Sequence, residues 1–358
     1  MFNPMNNSII KNDLEEIYQQ KVNWTELDGK TIMVTGAYGM LATYVIYMLL
    51  YLVLEKKLNI SIIALGKSKE KFEKTYGDEL KRYIQFVESD LLTLPQICCD
   101  VDYIIHAASL ASPQYYEVCP VNVLEPNVIG NYNLLKLAAE KNVKSYLLFS
   151  SCDVYGKVES VKSITEKNYG IMDTLDIHNC YSESKRMAET MCKAFLQQYN
   201  VPIKIARIAH TYAPTMDIEN DPRVFASFVK NIVNNQDIVI KSDGNGKRSF
   251  CYISDAVTGY FKILLEGKNG EAYNVCNSSQ YMSVSQLADK LISLYPEKNL
   301  RVVKKQRNKQ EIYLENNLLE GVNATPSESK LKMLGWTPFV TVEQGFRRVI
   351  DFLLKEAI

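Results

Sequence analysis

The chain has 358 residues, with 41 Lys and Arg against 41 Asp and Glu, 47% hydrophobic and 23% charged. That balance excludes the basic footprint of a nucleic-acid binder and the high net charge of a disordered chain. At about 150 residues per domain, the length predicts two domains or one large domain with a lobe.

Residues 1–29 are expected to form a helical extension, with Leu14, Ile17 and Tyr18 at helical spacing. The opening MFNPMNNSIIKNDLEE has no apolar core and carries acids early, so it does not read as a signal peptide. Residues 30–35 (KTIMVT) read as a short buried strand that runs into Gly36-Ala37-Tyr38-Gly39 and an apolar helix to about residue 54. That apolar run is about 14 residues, short of the ~20 a membrane span needs, so a buried helix is expected and no membrane partner. Further strands are expected at 59–65, 84–87, 102–106, 145–150 and 203–208, with helices at about 121–141 and 181–199. Continuously apolar strands alternating with helices predict an α/β fold with a doubly wound parallel sheet. Past Pro214 the rhythm changes. Helices near 224–234, 284–295 and 342–355 and strands at 238–241 and 271–275 suggest a smaller lobe. The expected units are therefore 1–29, a dinucleotide-binding core at 30–215, and a substrate lobe at 216–358 whose segment 244–256 returns to the core.

The eight cysteines form no CxxC pair and there are three His, so no metal site is expected. The spread of thiols reads as reduced and partly buried, hence a cytoplasmic protein. Cys98, Cys99 and Cys192 are expected to be packing residues.

Three segments carry chemistry. In the first βα turn, small residues at 36, 39 and 42 permit a tight turn and close approach of a pyrophosphate to a helix N-terminus. The second strand ends Leu65-Gly66-Lys67-Ser68 without the acid that holds an adenosine ribose diol. A cation and a hydroxyl stand there instead, which favours NADP slightly over NAD. Finally, Tyr181 and Lys185 lie four apart on one helix face. A lysine ammonium beside a phenol predicts a lowered phenol pKa and a proton shuttle. That helix follows a strand ending Ser150-Ser151-Cys152-Asp153, at the edge where open α/β sheets bind ligands.

TGAYGMLA, HAAS, SSCDVYG, YSESK and RIAHTYAP, in this order, resemble the extended short-chain dehydrogenase/reductase family acting on nucleotide-linked sugars. The resemblance runs from about residue 30 to the C-terminus, through GNGKRSFCYISD and Leu334-Gly335-Trp336. HAASLASPQYY, SSCDVYG and DPRVFASFV look most like UDP-glucuronate decarboxylases, then 4,6-dehydratases and 4-epimerases. It implies Tyr181 as acid/base, Lys185 on the nicotinamide ribose, Ser151 on the same sugar oxygen, and Asp153 where decarboxylases keep a Glu. It implies cofactor contacts from Gly36, Tyr38, Gly39, Met40, Leu41, Lys67, Ser68, Asp90, Leu91, Ala107, Ala108, Ser109, Tyr181 and Lys185. Substrate contacts are implied for Ser112, Cys152, His210, Arg223, Phe225 and Arg248, the last on the nucleotide diphosphate. Arg207 heads the strand leading to the substrate loop, and His106 is expected to shape the cofactor wall. A homodimer through helices 121–141 and 181–199, and a place in surface polysaccharide synthesis, are also implied.

Cys152 departs from the dehydratase acid, and His210 from the usual Asn. The expected reaction is a redox-neutral one on a nucleotide sugar. The alternatives are net NADPH-dependent reduction of a nucleotide-linked keto sugar, and an inactive Rossmann regulator.

Overall fold

The structure is a computed structural model that describes residues 6–158, 161–305 and 324–356. The N-terminal half contains α1 (Ser8–Gln19), β1 (Lys30–Thr35), α2 (Met40–Leu54), β2 (Ile60–Gly66), α3 (Lys69–Lys81), β3 (Ile84–Glu88), β4 (Tyr103–His106), α4 (Gln114–Val118), α5 (Pro120–Glu125) and α6 (Asn131–Glu140). Then follow β5 (Ser145–Ser151), β6 (Ser163–Ile164), α7 (Cys180–Tyr199), β7 (Ile203–Ile208), β8 (His210–Tyr212), α8 (Val224–Val233), β9 (Ile238–Ile240) and β10 (Lys247–Tyr252). The chain closes with α9 (Ile253–Glu266), β11 (Ala272–Val275), β12 (Tyr281–Ser283), α10 (Val284–Ser293), β13 (Val302–Lys304), β14 (Thr325–Pro326), α11 (Ser329–Lys332) and α12 (Val342–Glu356).

Seven parallel strands in the order β11-β7-β5-β4-β1-β2-β3 make the central sheet. The chain winds outward from β1 to β3, then returns to place β4 on the other side of β1. A crevice opens at the carboxyl ends of the strands where the order reverses, and ligands of doubly wound sheets bind there. Strand β5 is buried along its whole length, as a parallel strand covered on both faces must be.

Helix α2 is buried from Ala42 to Leu52 because α1 and α9 pack around it. Asn7 caps α1, which ends at Gln19 rather than near residue 29. A 3₁₀ turn, Trp24–Leu27, completes the extension, with Trp24 Nε1 donating to the Tyr18 carbonyl at 3.1 Å.

The helix expected over 121–141 is interrupted. A π turn, Pro126–Gly130, separates α5 from α6. Pro126 has no N–H to give, and its ring crowds an ordinary helical turn, so the ladder widens there. Helix α3 escapes a strong periodic signal because only Phe72, Tyr76 and Leu80 are buried on it, and Gly77 breaks it at φ +61°.

The expected boundary at 215/216 is crossed by the later chain. β11 forms the edge of the central sheet beside β7, and α9 packs on β5 and β7. β10 pairs with β8 and β12, and β9 pairs with β13. Cys192 is buried, but Cys98 and Cys99 are exposed, contrary to the packing role expected. Their loop turns Leu91, Ile97 and Val101 inward and leaves the thiols facing water. Among the described residues no helix is long and apolar enough to cross a membrane.

Candidate active site

The β1–α2 turn and the segment after β4 touch. A Cβ on Gly36, which sits at φ +70°, would stand 2.8 Å from the Ala108 Cα, so only glycine fits. Gly39 begins α2 without a side-chain cap, which leaves the first N–H groups and the positive helix end open to an anion. Thr35 Oγ1 accepts from the N–H groups of Ala107 and Ala108 at 3.2 and 3.1 Å. It also lies 2.9 Å from His106 Nδ1, while His106 Nε2 lies 3.1 Å from the Pro126 carbonyl. A carbonyl only accepts, so Nε2 carries the proton and Nδ1 accepts from the Thr35 hydroxyl. Burial, with the charge of Lys185, pushes the His106 pKa down to about 3. This histidine is a neutral brace between β1, β4 and the π turn. Thr35 gave no motif signal of its own.

A cleft of about 1030 Å³ runs along the sheet's carboxyl edge, lined near the turn by Tyr38, Gly39, Met40, Leu41, Ala107 and Ser109. Lys67, Ser68, Asp90 and Leu91 lie outside that lining. Ser68 Oγ caps α3 by accepting from Lys71 N–H at 3.2 Å. The Lys67 N–H donates to the Tyr38 hydroxyl at 3.0 Å. Asp90 closes a local turn through Leu92 N–H, and Leu91 is buried against Gly130.

Deeper in the cleft, Ser151 at the end of β5 and Tyr181 on the first turn of α7 line the floor together, and the Ser151 hydroxyl acts to lower the Tyr181 phenol pKa. Lys185 is one turn on. Its Nζ donates to the Phe149 carbonyl at 2.8 Å and lies 5.7 Å from the Tyr181 ring centroid. Tyr116 stacks on Tyr181, with ring centroids 5.6 Å apart and planes 9° apart. Its hydroxyl donates to the Ala111 carbonyl. Asn127 donates to Ser184 Oγ at 2.9 Å, tying the π turn to α7. Glu189 joins Ser150 and Arg207 beneath the floor.

The electrostatics correct one expectation. Burial, reinforced by the Asp153 charge, pushes the Tyr181 phenol above its ordinary value, and Lys185 does not offset it. Burial brings the Lys185 pKa down to about 7 despite the attraction of Glu189. Its ammonium faces a backbone carbonyl rather than the phenol oxygen. Asp153 is pushed up by burial, opposed by Ser151 and by Arg248. Cys152 lines the cleft, but its Sγ donates to the Arg207 carbonyl at 3.5 Å, and burial pushes the thiol up. A buried thiol bonded to backbone is a poor acid, as its departure from the dehydratase pattern suggested.

On the far wall stand Ser112, His210, Arg223 and Arg248. Burial and then the charges of Arg248 and Arg223 push the His210 pKa down to about 3, so it presents a neutral ring. Ser109 Oγ and Ser112 Oγ are buried with no hydrogen-bond partner among the described residues. Arg223 is engaged with Asp221, at 2.9 Å from Nε to both carboxylate oxygens, and with the Thr211 carbonyl. Among the described residues, Arg248 donates only to the carbonyl of its neighbour Lys247, at 2.8 Å. Phe225 does not reach the cleft: it is 1% exposed in an aromatic cluster with Tyr212, Phe250 and Phe346. The amphipathic period of α8 turns it into the core. Among the described residues no group of three or more His, Cys, Asp or Glu could hold a metal ion.

A sequence profile of the NAD dependent epimerase/dehydratase family matches residues 32–276. The chain is 31% identical over 319 residues to UDP-glucuronic acid decarboxylase 6 of Arabidopsis thaliana, covering 88% of this chain and 86% of that protein. Two solved structures share the fold. UDP-glucose 4-epimerase from Thermotoga maritima, with UDP-glucose, gives a TM-score of 0.75 at 21% identity, covering 92% of this chain and 100% of that one. UDP-glucuronic acid 4-epimerase from Bacillus cereus, in complex with NAD, gives 0.72 at 19% identity, covering 90% and 96%.

Proposed function

This chain belongs to the NAD dependent epimerase/dehydratase family, and we propose that it is a redox-neutral enzyme acting on a nucleoside-diphosphate hexuronate. The observation that carries this reading is the meeting of Ser151, Tyr181 and Lys185 at the floor of a cleft whose far wall presents Arg248. Gly36, pressed on Ala108, and the open N-terminus of α2 form a cradle that fits a dinucleotide pyrophosphate. NAD held there would supply a reversible hydride acceptor for a sugar carbon.

Tyr181 and Ser151 would hold the sugar hydroxyl that is oxidised; Tyr181 would take its proton as a phenolate, a form that the positive charge of a bound nicotinamide ring would favour against the burial that raises its pKa. The new ketone lies β to the sugar carboxylate, so the electrons of the breaking C–C bond flow onto the ketone oxygen as carbon dioxide leaves. Asp153 stands beside Tyr181, and its raised pKa suits it to deliver a proton to the carbon left behind. Return of the hydride and of the Tyr181 proton restores the hydroxyl. Cys152 supports decarboxylation or epimerisation over dehydration, because no acid stands at its position to expel a hydroxyl.

The end of β2 supports NAD rather than NADP. The Lys67 N–H, a donor that would meet a 2′-phosphate, is already engaged with the Tyr38 hydroxyl. Net reduction by NADPH loses its support at the same place. The eight free cysteines support a reducing cytoplasm. Mass spectrometry of the nucleotide released from the purified protein, and of products from a panel of nucleotide sugars, tests the reading. Bound NAD and loss of 44 mass units from a nucleotide-linked hexuronate (the mass of carbon dioxide) are expected. Consumption of NADPH with a keto sugar would overturn it.

A further inference from the structure

The β2 strand ends in Leu65-Gly66 with no carboxylate to hold the diol of an adenosine ribose. Tyr38 occupies that place. Its ring lies across Gly66 so closely that a Cβ there would stand 2.7 Å from Tyr38 Cε1. Its hydroxyl accepts from the Lys67 N–H at 3.0 Å. The same ring lines the cleft beside Gly39 and Met40. A tyrosine in a phosphate-binding turn of small residues needs a reason, and Gly66 supplies the room for it.

We propose that Tyr38 is the residue that selects NAD over NADP, its phenol standing in for the missing strand-end acid. The inference rests on the reading that the β1–α2 turn holds a nicotinamide dinucleotide. The phenol oxygen accepts from Lys67, so its own O–H is left to donate to a ribose hydroxyl, and a second lone pair can accept from the other. A 2′-phosphate fares differently. The ring fills the space above Gly66. The backbone donor that would meet the phosphate is spent on Tyr38. Glu88, paired with Gly66 in the sheet register and accepting from Lys69 N–H at 3.2 Å, adds a like charge at the rim. Against these stands the exposed Lys67 side chain, which becomes effective once the ring is gone.

The test is calorimetric titration of NAD and NADP into the full-length protein after removal of endogenous nucleotide, with circular dichroism to confirm folding. Wild type is expected to bind NAD about tenfold or more tighter than NADP, the equivalent of one charge-assisted bond. Tyr38→Phe keeps the ring and loses the hydroxyl, and should weaken NAD by about three- to tenfold, the value of one hydrogen bond. Tyr38→Ala opens the space and frees the Lys67 N–H, and should shift the NADP/NAD affinity ratio about tenfold or more toward NADP. Gly66→Ala should act in the same direction by displacing the ring. A folded Tyr38→Ala protein that binds both dinucleotides with the wild-type ratio overturns the assignment, as does a wild type that prefers NADP. Folded wild type that binds neither overturns the dinucleotide reading itself, and this inference with it.

Discussion

The carboxylate of Asp13 lies 2.7 Å from the guanidinium of Arg348, 335 positions further along the chain. The same carboxylate accepts from Tyr44 and Tyr252 at 2.9 and 2.7 Å, so one side chain joins α1 to α2, to the end of β10 and to α12. Asp13 is fully buried, and the N-terminal extension is thereby clasped to the body.

The clasp makes stability depend on pH. Burial pushes the Asp13 pKa from 3.8 up to about 6, more than Tyr252 and Arg348 pull it down. A carboxyl whose folded pKa is raised binds more protons folded than unfolded. Its contribution is full below about pH 4 and is lost as pH rises through about 6. Asp13→Asn keeps an acceptor for the tyrosines, and Arg348 keeps its bidentate pair with Glu16. The gap in Tm between variant and wild type should therefore change across pH 4 to 7, in favour of Asn at the upper end. Thermal unfolding at several pH values checks it. A gap that is constant across that range refutes the proton linkage.

Tyr181→Phe should lower kcat by about 10²–10⁴, the usual worth of a positioned acid/base. NAD content of the purified protein should not fall if the phenol acts on the sugar, as proposed. Wild-type turnover by the variant would remove Tyr181 from the chemistry. Tyr116→Leu removes the stacked ring but no proton carrier. It should lower kcat by about tenfold and leave the shape of the pH–rate profile unchanged, since stacking contributes about 0.5–1.5 kcal/mol.

Most of the sheet was legible because parallel strands buried on both faces spell unbroken apolar runs. Lys30–Thr35 and Ile203–Ile208 fall where such runs predict. The floor was legible too, because the i,i+4 spacing of Tyr181 and Lys185 fixes one face of one helix. The rest depends on contacts between distant segments. Nothing local tells that Tyr116 stacks on Tyr181, or that Tyr38 and Lys67 meet over Gly66. The same reason misplaced Phe225, whose neighbours 212, 250 and 346 come together only in the fold. It also misled on Cys98 and Cys99, where residue type suggested burial and the loop provides none.

A two-fold dimer through α5, α6 and α7 is a further expected outcome. Leu134, Leu135 and Leu137 are buried within the protomer, against their own sheet. Val121, Leu124, Ile129, Tyr132, Met187 and Tyr199 are exposed large apolar residues of these helices and of the π turn, at 63%, 36%, 47%, 46%, 48% and 54%. Two-fold pairing would cover them as a four-helix bundle. Light scattering at micromolar concentration should give twice the chain mass. The double variant Ile129→Lys, Met187→Glu should give a single chain with an unchanged circular dichroism spectrum. A monomeric wild type ends the proposal.

Arg248→Ala should weaken the nucleotide sugar far more than the cofactor. Arg248 lies on β10, beyond the sheet strands that form the dinucleotide crevice, and lines the cleft beside Lys247, Ser249 and Tyr281. Its guanidinium donates to a single backbone carbonyl and, among the described residues, has no acidic partner within ion-pair distance. Arg223, by contrast, is already paired with Asp221. An arginine with its fork uncommitted at a cleft wall suits a phosphate, which it grips bidentately with charge-assisted bonds of about 1.5–3 kcal/mol each. Loss of one such bond raises KM for the nucleotide sugar by about ten- to a hundredfold, since 1.4 kcal/mol is tenfold in affinity. Arg248→Lys should recover only part of it, because a lysine lacks the fork. Because no salt bridge is broken, Tm should stay within a degree or two of wild type, as surface changes of about 0.5 kcal/mol or less allow. Calorimetric titration with UDP separates binding from stability. An unchanged Kd would take Arg248 out of the substrate site, whereas a lost Kd with an intact Tm would place the diphosphate beside β10.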